Sequence, residues 1–219
     1  MQATQTFLSG GIPIRLDQRE PEGPGPFPAI LLLHGAGGNI AFWLDRLAPF
    51  VTRLGIALYA VHYFDRTGTD RADTMTILDG HHVPLWLDTV ADAVTSLAAR
   101  PMIHPRRIAL LGVSLGAFLA LAYATLPNRH RVRAIVEISG GLAAPYAATA
   151  AASFPPTLIL HGEQDIVVPV TQAHALSGLL TRLDVFHRIE LFPGEGHWFS
   201  PGAQLRILEA IARFLGSRI

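Results

Sequence analysis

The chain contains neither cysteine nor lysine, and each absence removes whole classes of chemistry. All 17 basic side chains among the 219 residues are arginine. Without cysteine there are no disulfides, thiolate nucleophiles, iron–sulfur clusters or cysteine-bound zinc sites. Without lysine there is no Schiff base on pyridoxal phosphate and no lysine for a phosphate-binding loop. A nucleophile in this protein must therefore be an oxygen or a histidine nitrogen, and ten histidines are present.

The charge and hydropathy of the chain argue against nucleic-acid and membrane partners. The 17 basic side chains balance 17 acidic ones, whereas nucleic-acid binding needs a basic surface. No apolar stretch reaches the roughly 18 residues that cross a bilayer. Residues 1–10 lack the basic and apolar regions of a signal peptide. We therefore predict a soluble, cytoplasmic protein. The length predicts that residues 1–219 form one domain, and we expect a monomer or homodimer.

Strand and helix patterns alternate along most of the chain. Two short strands at residues 4–8 and 12–17 flank the turn Ser9-Gly10-Gly11. A continuous apolar run, typical of a strand that is covered on both faces, occurs at residues 29–33, and further strands are predicted at residues 56–61, 107–111, 132–138, 157–160 and 185–191. Helical spacing of apolar residues predicts helices at residues 40–54, 87–98, 115–125, 171–183 and 203–215, and residues 62–83 are predicted to be irregular. The alternation predicts an α/β fold with a mostly parallel sheet of about seven or eight strands and helices on both faces.

A serine between two glycines follows the strand at residues 107–111. The segment reads Gly112-Val113-Ser114-Leu115-Gly116 and opens a helix. A strand–turn–helix with this pattern holds the serine hydroxyl above the sheet, and the helix N-terminus stabilises developing negative charge. Such a short pattern can also arise by chance, but its position between a strand and a helix favours Ser114 as a nucleophile.

An acid and a base follow Ser114 in the order that a nucleophilic serine of this type requires. Asp165 follows the strand at residues 157–160 in HGEQDIVVP, and His197 follows the strand at residues 185–191 in PGEGHW. Each residue has a simpler interpretation, since Asp165 could cap a turn or helix and His197 could be a solvated loop residue. Because parallel strands bring their carboxyl ends to one edge of the sheet, we predict that the three residues form a catalytic triad.

The loop after residues 29–33 is rich in glycine and is the candidate oxyanion hole. It reads His34-Gly35-Ala36-Gly37-Gly38-Asn39. Glycines let the backbone approach a tetrahedral intermediate, so we predict the amides of Ala36 and Leu115 as the two donors. A dinucleotide-binding loop would need glycine where Ile40 stands, and a phosphate-binding loop would need lysine.

The segments LLLHGAGG, VHYFDRTGT, RIALLGVSLGAFLALAYA, HGEQDIVVP and GEGHWF resemble the α/β-hydrolases. The chain resembles the dienelactone hydrolase family most closely, from about residue 29 to residue 214. This resemblance implies an α/β-hydrolase fold without a lid domain. It also implies hydrolysis of a small ester or lactone through an acyl-enzyme, without a cofactor.

The chain departs from the family pattern at the nucleophile and at the substrate carboxylate. In the dienelactone hydrolases that this chain resembles, the nucleophile is a cysteine at the position of Ser114. A glutamate stands there at the position of Gly35. They hold the substrate carboxylate with two arginines, of which Arg66 resembles the first, whereas Pro201 stands at the second position. Arg66 is thus a candidate for binding a substrate carboxylate, or it pairs with an aspartate of its own loop. These departures favour a simpler carboxylic ester over a dienelactone.

Aromatic and histidine residues supply weaker signals. Tyr63 and Trp198 are candidates for the wall of an acyl pocket, and core packing is the alternative for each. His62 and the pair His81-His82 suggest a metal site, but adjacent histidines point in different directions and no carboxylate stands at ligand spacing. We therefore predict no metal site.

These residues together predict a serine hydrolase that cleaves a small carboxylic ester or lactone. A thioesterase, a peptidase or a cofactor-free haloperoxidase could use the same residues. A dehalogenase or epoxide hydrolase of this fold would need aspartate in place of Ser114. A non-catalytic binding protein with a hydrolase fold is the alternative from another class. Without a lid, a shallow cavity is expected to favour short acyl groups.

Overall fold

A computed structural model describes residues 2–127 and 129–219, which form one eight-stranded sheet with helices on both faces. The strands follow the order β1-β2-β4-β3-β5-β6-β7-β8 across the sheet. In chain order they are β1 (Gln2–Ser9), β2 (Ile12–Arg19), β3 (Phe27–Leu33), β4 (Ala57–Val61), β5 (Ile103–Val113), β6 (Ala134–Ile138), β7 (Thr157–Gly162) and β8 (His187–Phe192). The β1–β2 and β2–β4 pairs are antiparallel and the remaining pairs are parallel. The predicted mostly parallel sheet is confirmed.

Helices cover both faces of this sheet. They are α1 (Ile40–Arg53), α2 (Thr74–Leu78), α3 (His82–Ala98), α4 (Leu115–Tyr123), α5 (Ala144–Ala147), α6 (Thr171–Arg182) and α7 (Pro201–Gly216). One apolar cluster joins the sheet to α3, α4 and α6, and a second joins the other face to α1 and α7. Along β3, Leu31 and Leu33 belong to the first cluster, and Ile30 and Leu32 belong to the second. Both faces of β3 are therefore buried, which explains its continuous apolar run.

The largest difference from the sequence prediction lies between residues 62 and 83. This segment contains a 3₁₀ helix (Tyr63–Thr67), α2 and the start of α3. Asp73 begins α2, because its carboxylate accepts the amide of Thr76 at 2.8 Å. Elements of about one turn have too few residues for an apolar period to emerge. The predicted strand at residues 107–111 also extends to Ile103–Val113, and the short helix α5 was not predicted.

The sheet topology brings the loops of interest to one edge. Strand β5 is central, with β3 on one side and β6 on the other. The loops after β3, β5, β7 and β8 leave the carboxyl ends of parallel strands, so they meet at the same edge of the sheet.

Within residues 2–127 and 129–219, no helix combines the length and the hydropathy of a membrane-spanning segment.

Candidate active site

Ser114 lies in a sharp turn between β5 and α4. Its backbone φ is +52°, a value that a residue with a side chain seldom adopts. The turn is possible because Gly112 and Gly116 lack side chains. A Cβ on Gly112 would lie 2.3 Å from the carbonyl oxygen of Gly116, and a Cβ on Gly116 would lie 2.2 Å from that of Leu33. This close backbone packing presents the Ser114 hydroxyl at the edge of the sheet.

The three residues of the predicted triad are hydrogen-bonded to one another. Nε2 of His197 lies 3.0 Å from Oγ of Ser114, and Nδ1 of His197 lies 2.7 Å from Oδ2 of Asp165. The carboxylate of Asp165 can only accept when ionised, so Nδ1 of His197 carries the ring proton and Nε2 presents its lone pair to Ser114. This arrangement is able to remove the hydroxyl proton of Ser114 as the oxygen attacks a carbonyl carbon.

The Asp165 side chain is fully buried, and several donors surround its carboxylate. The amides of Val167 and Val168 both donate to Oδ1, each at 2.8 Å. Nδ1 of His197 donates to Oδ2. A buried carboxylate needs donors of this kind to offset its lost hydration. The turn after β7 therefore holds Asp165 in one orientation towards His197.

The two predicted oxyanion amides belong to different parts of the chain that meet near Ser114. Ala36 follows β3 and lines the same cavity as Ser114, and Leu115 is the first residue of α4. Among residues 2–127 and 129–219, no protein acceptor takes either amide. Both N–H groups are thus free to donate to a substrate oxygen.

His34 and Tyr63 support the loop that carries Ala36. Their rings stack with centroids 4.1 Å apart, and the Tyr63 hydroxyl donates to the carbonyl of His34 at 2.7 Å. Nδ1 of His34 donates to the carbonyl of Gly35 at 2.8 Å. Burial lowers the pKa of His34 to about 4, so its imidazole is neutral near pH 7. The loop that carries Ala36 therefore packs against two buried, uncharged rings, those of His34 and Tyr63.

A cavity of about 560 Å³ opens onto Ser114 and His197. Its walls are mainly apolar and aromatic, and they include Phe42, Trp43, Ala72, Val113, Val167, Trp198 and Phe199. Asn39, Gln204 and Arg71 supply polar groups to the walls. The Trp198 side chain is 80% exposed and contacts the His197 ring edge-on, with centroids 5.1 Å apart. Trp198 thus lines the cavity at an exposed position, and its contact with a substrate stays a prediction.

Two of the predicted substrate contacts lie outside this cavity. Tyr63 is fully buried and acts as a support for the loop after β3. The guanidinium of Arg66 donates to the carbonyl of Gly10 at 3.3 Å, because the 3₁₀ helix directs the side chain towards the β1–β2 turn. Asp65 pairs with Arg15, at 2.7 Å, and not with Arg66. The arginine that lines the cavity is Arg71, which sequence reasoning missed because residues 62–83 gave no pattern.

Of the three histidines considered for a metal, His62 and His82 each contact a single carboxylate, and the His81 ring contacts the His82 ring edge-on. Nε2 of His62 lies 2.9 Å from Asp17, and Nδ1 of His82 lies 2.5 Å from Asp79. In the part of the chain that the structure describes, no three His, Asp or Glu side chains are grouped as metal ligands.

Buried polar groups behind the triad were also missed by sequence reasoning. Glu137 on β6 is fully buried, and only its Oε2 has a protein partner among the described residues, the amide of Gly140 at 2.8 Å. Burial raises the pKa of Glu137 to about 8. His161, the residue before Gly162 at the end of β7, is fully buried as well, and burial lowers its pKa. A carboxylate among the apolar residues Ala134–Ile138 was the available signal for Glu137.

We predict that Gly116→Ala destabilises the fold by about 2 kcal/mol or more, since overpacking forces buried atoms apart. The added Cβ would meet the Leu33 carbonyl at 2.2 Å, and neither backbone can move freely. Urea unfolding measures the change. Gly202→Ala is the matched control, because Gly202 lies in α7 with no atom near its added Cβ. A midpoint for Gly116→Ala equal to that of the control would contradict the packing argument.

We also predict that Glu137→Gln changes how stability depends on pH. The native carboxyl holds its proton up to a pKa of about 8, whereas the ordinary value is 4.5. Between these two pKa values the folded state binds more protons than the unfolded state. The stability contributed by neutral Glu137 is therefore complete below the lower pKa and is lost as the pH rises through the higher one. Glutamine is neutral throughout. The free energy of unfolding of the variant, relative to wild type, should increase from about pH 5 to about pH 8 in urea titrations. A constant difference would rule out this titration.

Comparison with known proteins identifies the chain's relatives. The model of the dienelactone hydrolase family matches residues 18–205. Acyl-coenzyme A thioesterase 5 of Mus musculus is 33% identical over 120 residues, which cover 55% of this chain and 25% of that protein. The chain therefore matches about a quarter of the length of this curated relative.

Solved structures share the whole fold. A dienelactone hydrolase from Anabaena variabilis has a TM-score of 0.79 at 18% identity, with 100% of this chain and 98% of that chain covered. Est1E from Butyrivibrio proteoclasticus has a TM-score of 0.78 at 15% identity, with 97% of each chain covered. Identities this low show a common fold. With the family match over residues 18–205, they establish that this chain is an α/β-hydrolase-fold member of the dienelactone hydrolase family.

Proposed function

We propose that this protein is a serine hydrolase that cleaves a small carboxylic ester or lactone. The observation that carries the proposal is the hydrogen-bonded series Ser114, His197 and Asp165, at 3.0 Å and 2.7 Å, of which Ser114 and His197 line a cavity. Family membership supports the same reaction class. An inert binding protein would have no need of this aligned series of donors and acceptors.

The reaction proceeds in two steps. Oγ of Ser114 attacks the acyl carbon while its proton passes to Nε2 of His197, and the tetrahedral intermediate then collapses. The leaving oxygen departs with that proton, and Ser114 is left as an acyl ester. Water enters, gives a proton to His197 and attacks the acyl carbon, and this releases the acid and restores the hydroxyl. Asp165 holds the His197 tautomer and stabilises the imidazolium in both steps.

The oxyanion of each tetrahedral intermediate would be bound by the amides of Ala36 and Leu115. The latter begins α4, so the helix N-terminus adds favourable electrostatic interaction with the negative charge. The neutral ring of His34 supports the loop of Ala36 without introducing a second charge. Backbone donors held in place in this way need little reorganisation during the reaction.

The cavity suits a small or aromatic acyl group. Its volume of about 560 Å³ is within the usual range for small-molecule sites, and its walls are largely aromatic and aliphatic. Trp198 and Val167 form an apolar mouth through which one end of a substrate could extend. We therefore favour short-chain carboxylic esters or lactones as substrates.

A thioesterase is the second candidate, and two observations favour it. The curated relative from Mus musculus is named as an acyl-coenzyme A thioesterase. Arg71, a cation at the cavity wall, would attract an anionic leaving group such as coenzyme A. The same acyl-enzyme steps apply, with a thiolate as the leaving group.

Labelling with a fluorophosphonate tests the proposed nucleophile. We expect one covalent adduct on Ser114, identified by peptide mass, and no adduct in Ser114→Ala. Asp165→Asn should lower kcat for p-nitrophenyl acetate by roughly 10⁴-fold, because the wrong His197 tautomer is favoured. Glu163→Gln is the control, since Glu163 is exposed in the same loop. Folded wild-type protein that forms no adduct would point to a binding role instead.

Arg71→Gln distinguishes the ester and thioester proposals. Acetyl-coenzyme A and p-nitrophenyl acetate carry the same acyl group, but only the first is itself an anion, because its coenzyme A part carries ionised phosphate groups. For an exposed guanidinium we expect kcat/KM for acetyl-coenzyme A to fall about two- to fivefold, with little change for the neutral ester. The effect should shrink at high salt. Arg188→Gln, at an exposed position of β8, is the control. Equal effects on both substrates would exclude charge recognition by Arg71.

A further inference from the structure

Three buried polar atoms without a protein partner lie at the ends of β6 and β7, behind the triad. They are Oε1 of Glu137, Oγ of Ser139 and Nδ1 of His161, and no described residue is within hydrogen-bonding geometry of any of them. All three residues are buried. A buried polar group that forms no hydrogen bond costs about 1–3 kcal/mol, so three such groups in one region require an explanation.

The strand register brings these residues together. Glu137 is paired with Ile159 across the β6–β7 ladder, and side chains two residues apart share a face of a strand. His161 therefore lies on the same face of the sheet as Glu137. Ser139 follows the last residue of β6 and turns the chain with a φ of +53°. Its amide donates to the carbonyl of Leu160 at 2.9 Å, so Ser139 lies beside the end of β7. The three polar side chains thus belong to adjacent strand ends.

Their protonation states are complementary. Nε2 of His161 lies 2.8 Å from the carbonyl of Val168, which can only accept, so Nε2 carries the proton and Nδ1 is an acceptor. The lowered pKa of His161 keeps the ring neutral. Oε2 of Glu137 accepts the Gly140 amide, and the raised pKa leaves a proton on the carboxyl, so Oε1 is a donor. The Ser139 hydroxyl can both donate and accept.

The cluster contacts the backbone on both sides of the triad. Val168 accepts from His161 through its carbonyl and donates to Oδ1 of Asp165 through its amide. Nε2 of His161 is also 3.5 Å from Oδ2 of Asp165. On the other side, the carbonyl of Ile138 accepts the amide of Ser114 at 2.8 Å. A change in the cluster would therefore be transmitted to the acid and to the nucleophile.

We propose that Glu137, Ser139 and His161 bind one internal water molecule, and that His161 acts as a positioning residue for Asp165. A water that donates to Nδ1 of His161 and accepts from Oε1 of Glu137 satisfies both atoms, and its other hydrogen reaches Ser139. Buried waters typically make about three hydrogen bonds to groups that otherwise have no partner. His161, fixed at Nδ1, holds Val168 and hence the carboxylate of Asp165. The catalytic part of this inference rests on the proposed function.

His161→Leu and His161→Gln test the positioning role. Leucine removes the donor to Val168, and kcat for p-nitrophenyl acetate should fall about 10- to 100-fold, as expected for a misplaced catalytic group. KM should stay the same, because His161 does not line the cavity. Glutamine supplies an N–H near the position of Nε2 and should restore kcat to within a few-fold of wild type. His174→Gln, on the exposed face of α6, is the control.

A kcat of His161→Leu equal to wild type would overturn the positioning role, as would an equal loss in His161→Gln. If His161→Leu does not fold, Ser139→Ala carries the test, because it removes a ligand of the water and no contact of Asp165. Its kcat should fall several-fold at constant KM, and an unchanged kcat would overturn the proposal.

Two measurements test this inference without requiring esterase activity. In a high-resolution crystal structure of the wild type, an ordered water within hydrogen-bonding distance of all three atoms would support the binding site, and its absence would overturn it. The proton between His197 and Asp165 gives a far-downfield NMR signal, which should shift or broaden in His161→Leu and return in His161→Gln. An identical signal in all three proteins would refute the coupling. Fluorophosphonate labelling of wild-type Ser114 separately tests the proposed function.

Discussion

An added Cβ at Gly116 would lie 2.2 Å from the Leu33 carbonyl, so α4 can pack against the end of β3 only because residue 116 has no side chain. Gly112 permits the matching approach from β5. This contact shortens the turn between strand and helix until Ser114 adopts a positive φ. It also brings the first amide of α4 beside the loop that follows β3. The geometry of the nucleophile and of both candidate oxyanion donors thus depends on the same backbone contact.

Two buried carboxyl groups near this turn are solvated by the protein in different ways. Asp165 receives two backbone amides and the His197 ring, so its negative charge is compensated by oriented dipoles. Glu137 receives one amide and lies in the apolar layer under α4, so burial favours its neutral form. The number of donors available to each carboxyl decides which of them can act as a charged partner of an imidazole. This difference explains how one sheet edge accommodates both groups.

Much of the fold and of the candidate site was predictable from local patterns. Parallel strands that are buried on both faces appear as apolar runs, and the elements after β3, β5, β7 and β8 were located within a few residues. The order of Ser114, Asp165 and His197 identified candidates at three strand ends, and the structure brings them into hydrogen-bond contact. Short elements were not predictable. The 3₁₀ helix at Tyr63–Thr67 has too few residues for periodicity, and the positions of Arg66 and Arg71 depend on it.

The sequence by itself determined which residues could take part in chemistry. It excluded thiolate and lysine chemistry by composition, and it indicated a serine at a strand–helix turn because glycine spacing reports local backbone crowding. Only the tertiary structure decided which side chains face the cavity and which face the core. It directed Arg66 to the β1–β2 turn, buried Tyr63 against His34 and joined Glu137 to the neighbourhood of His161. These contacts connect residues far apart in the chain, and side-chain direction there follows from strand register and helix packing, which no local pattern encodes.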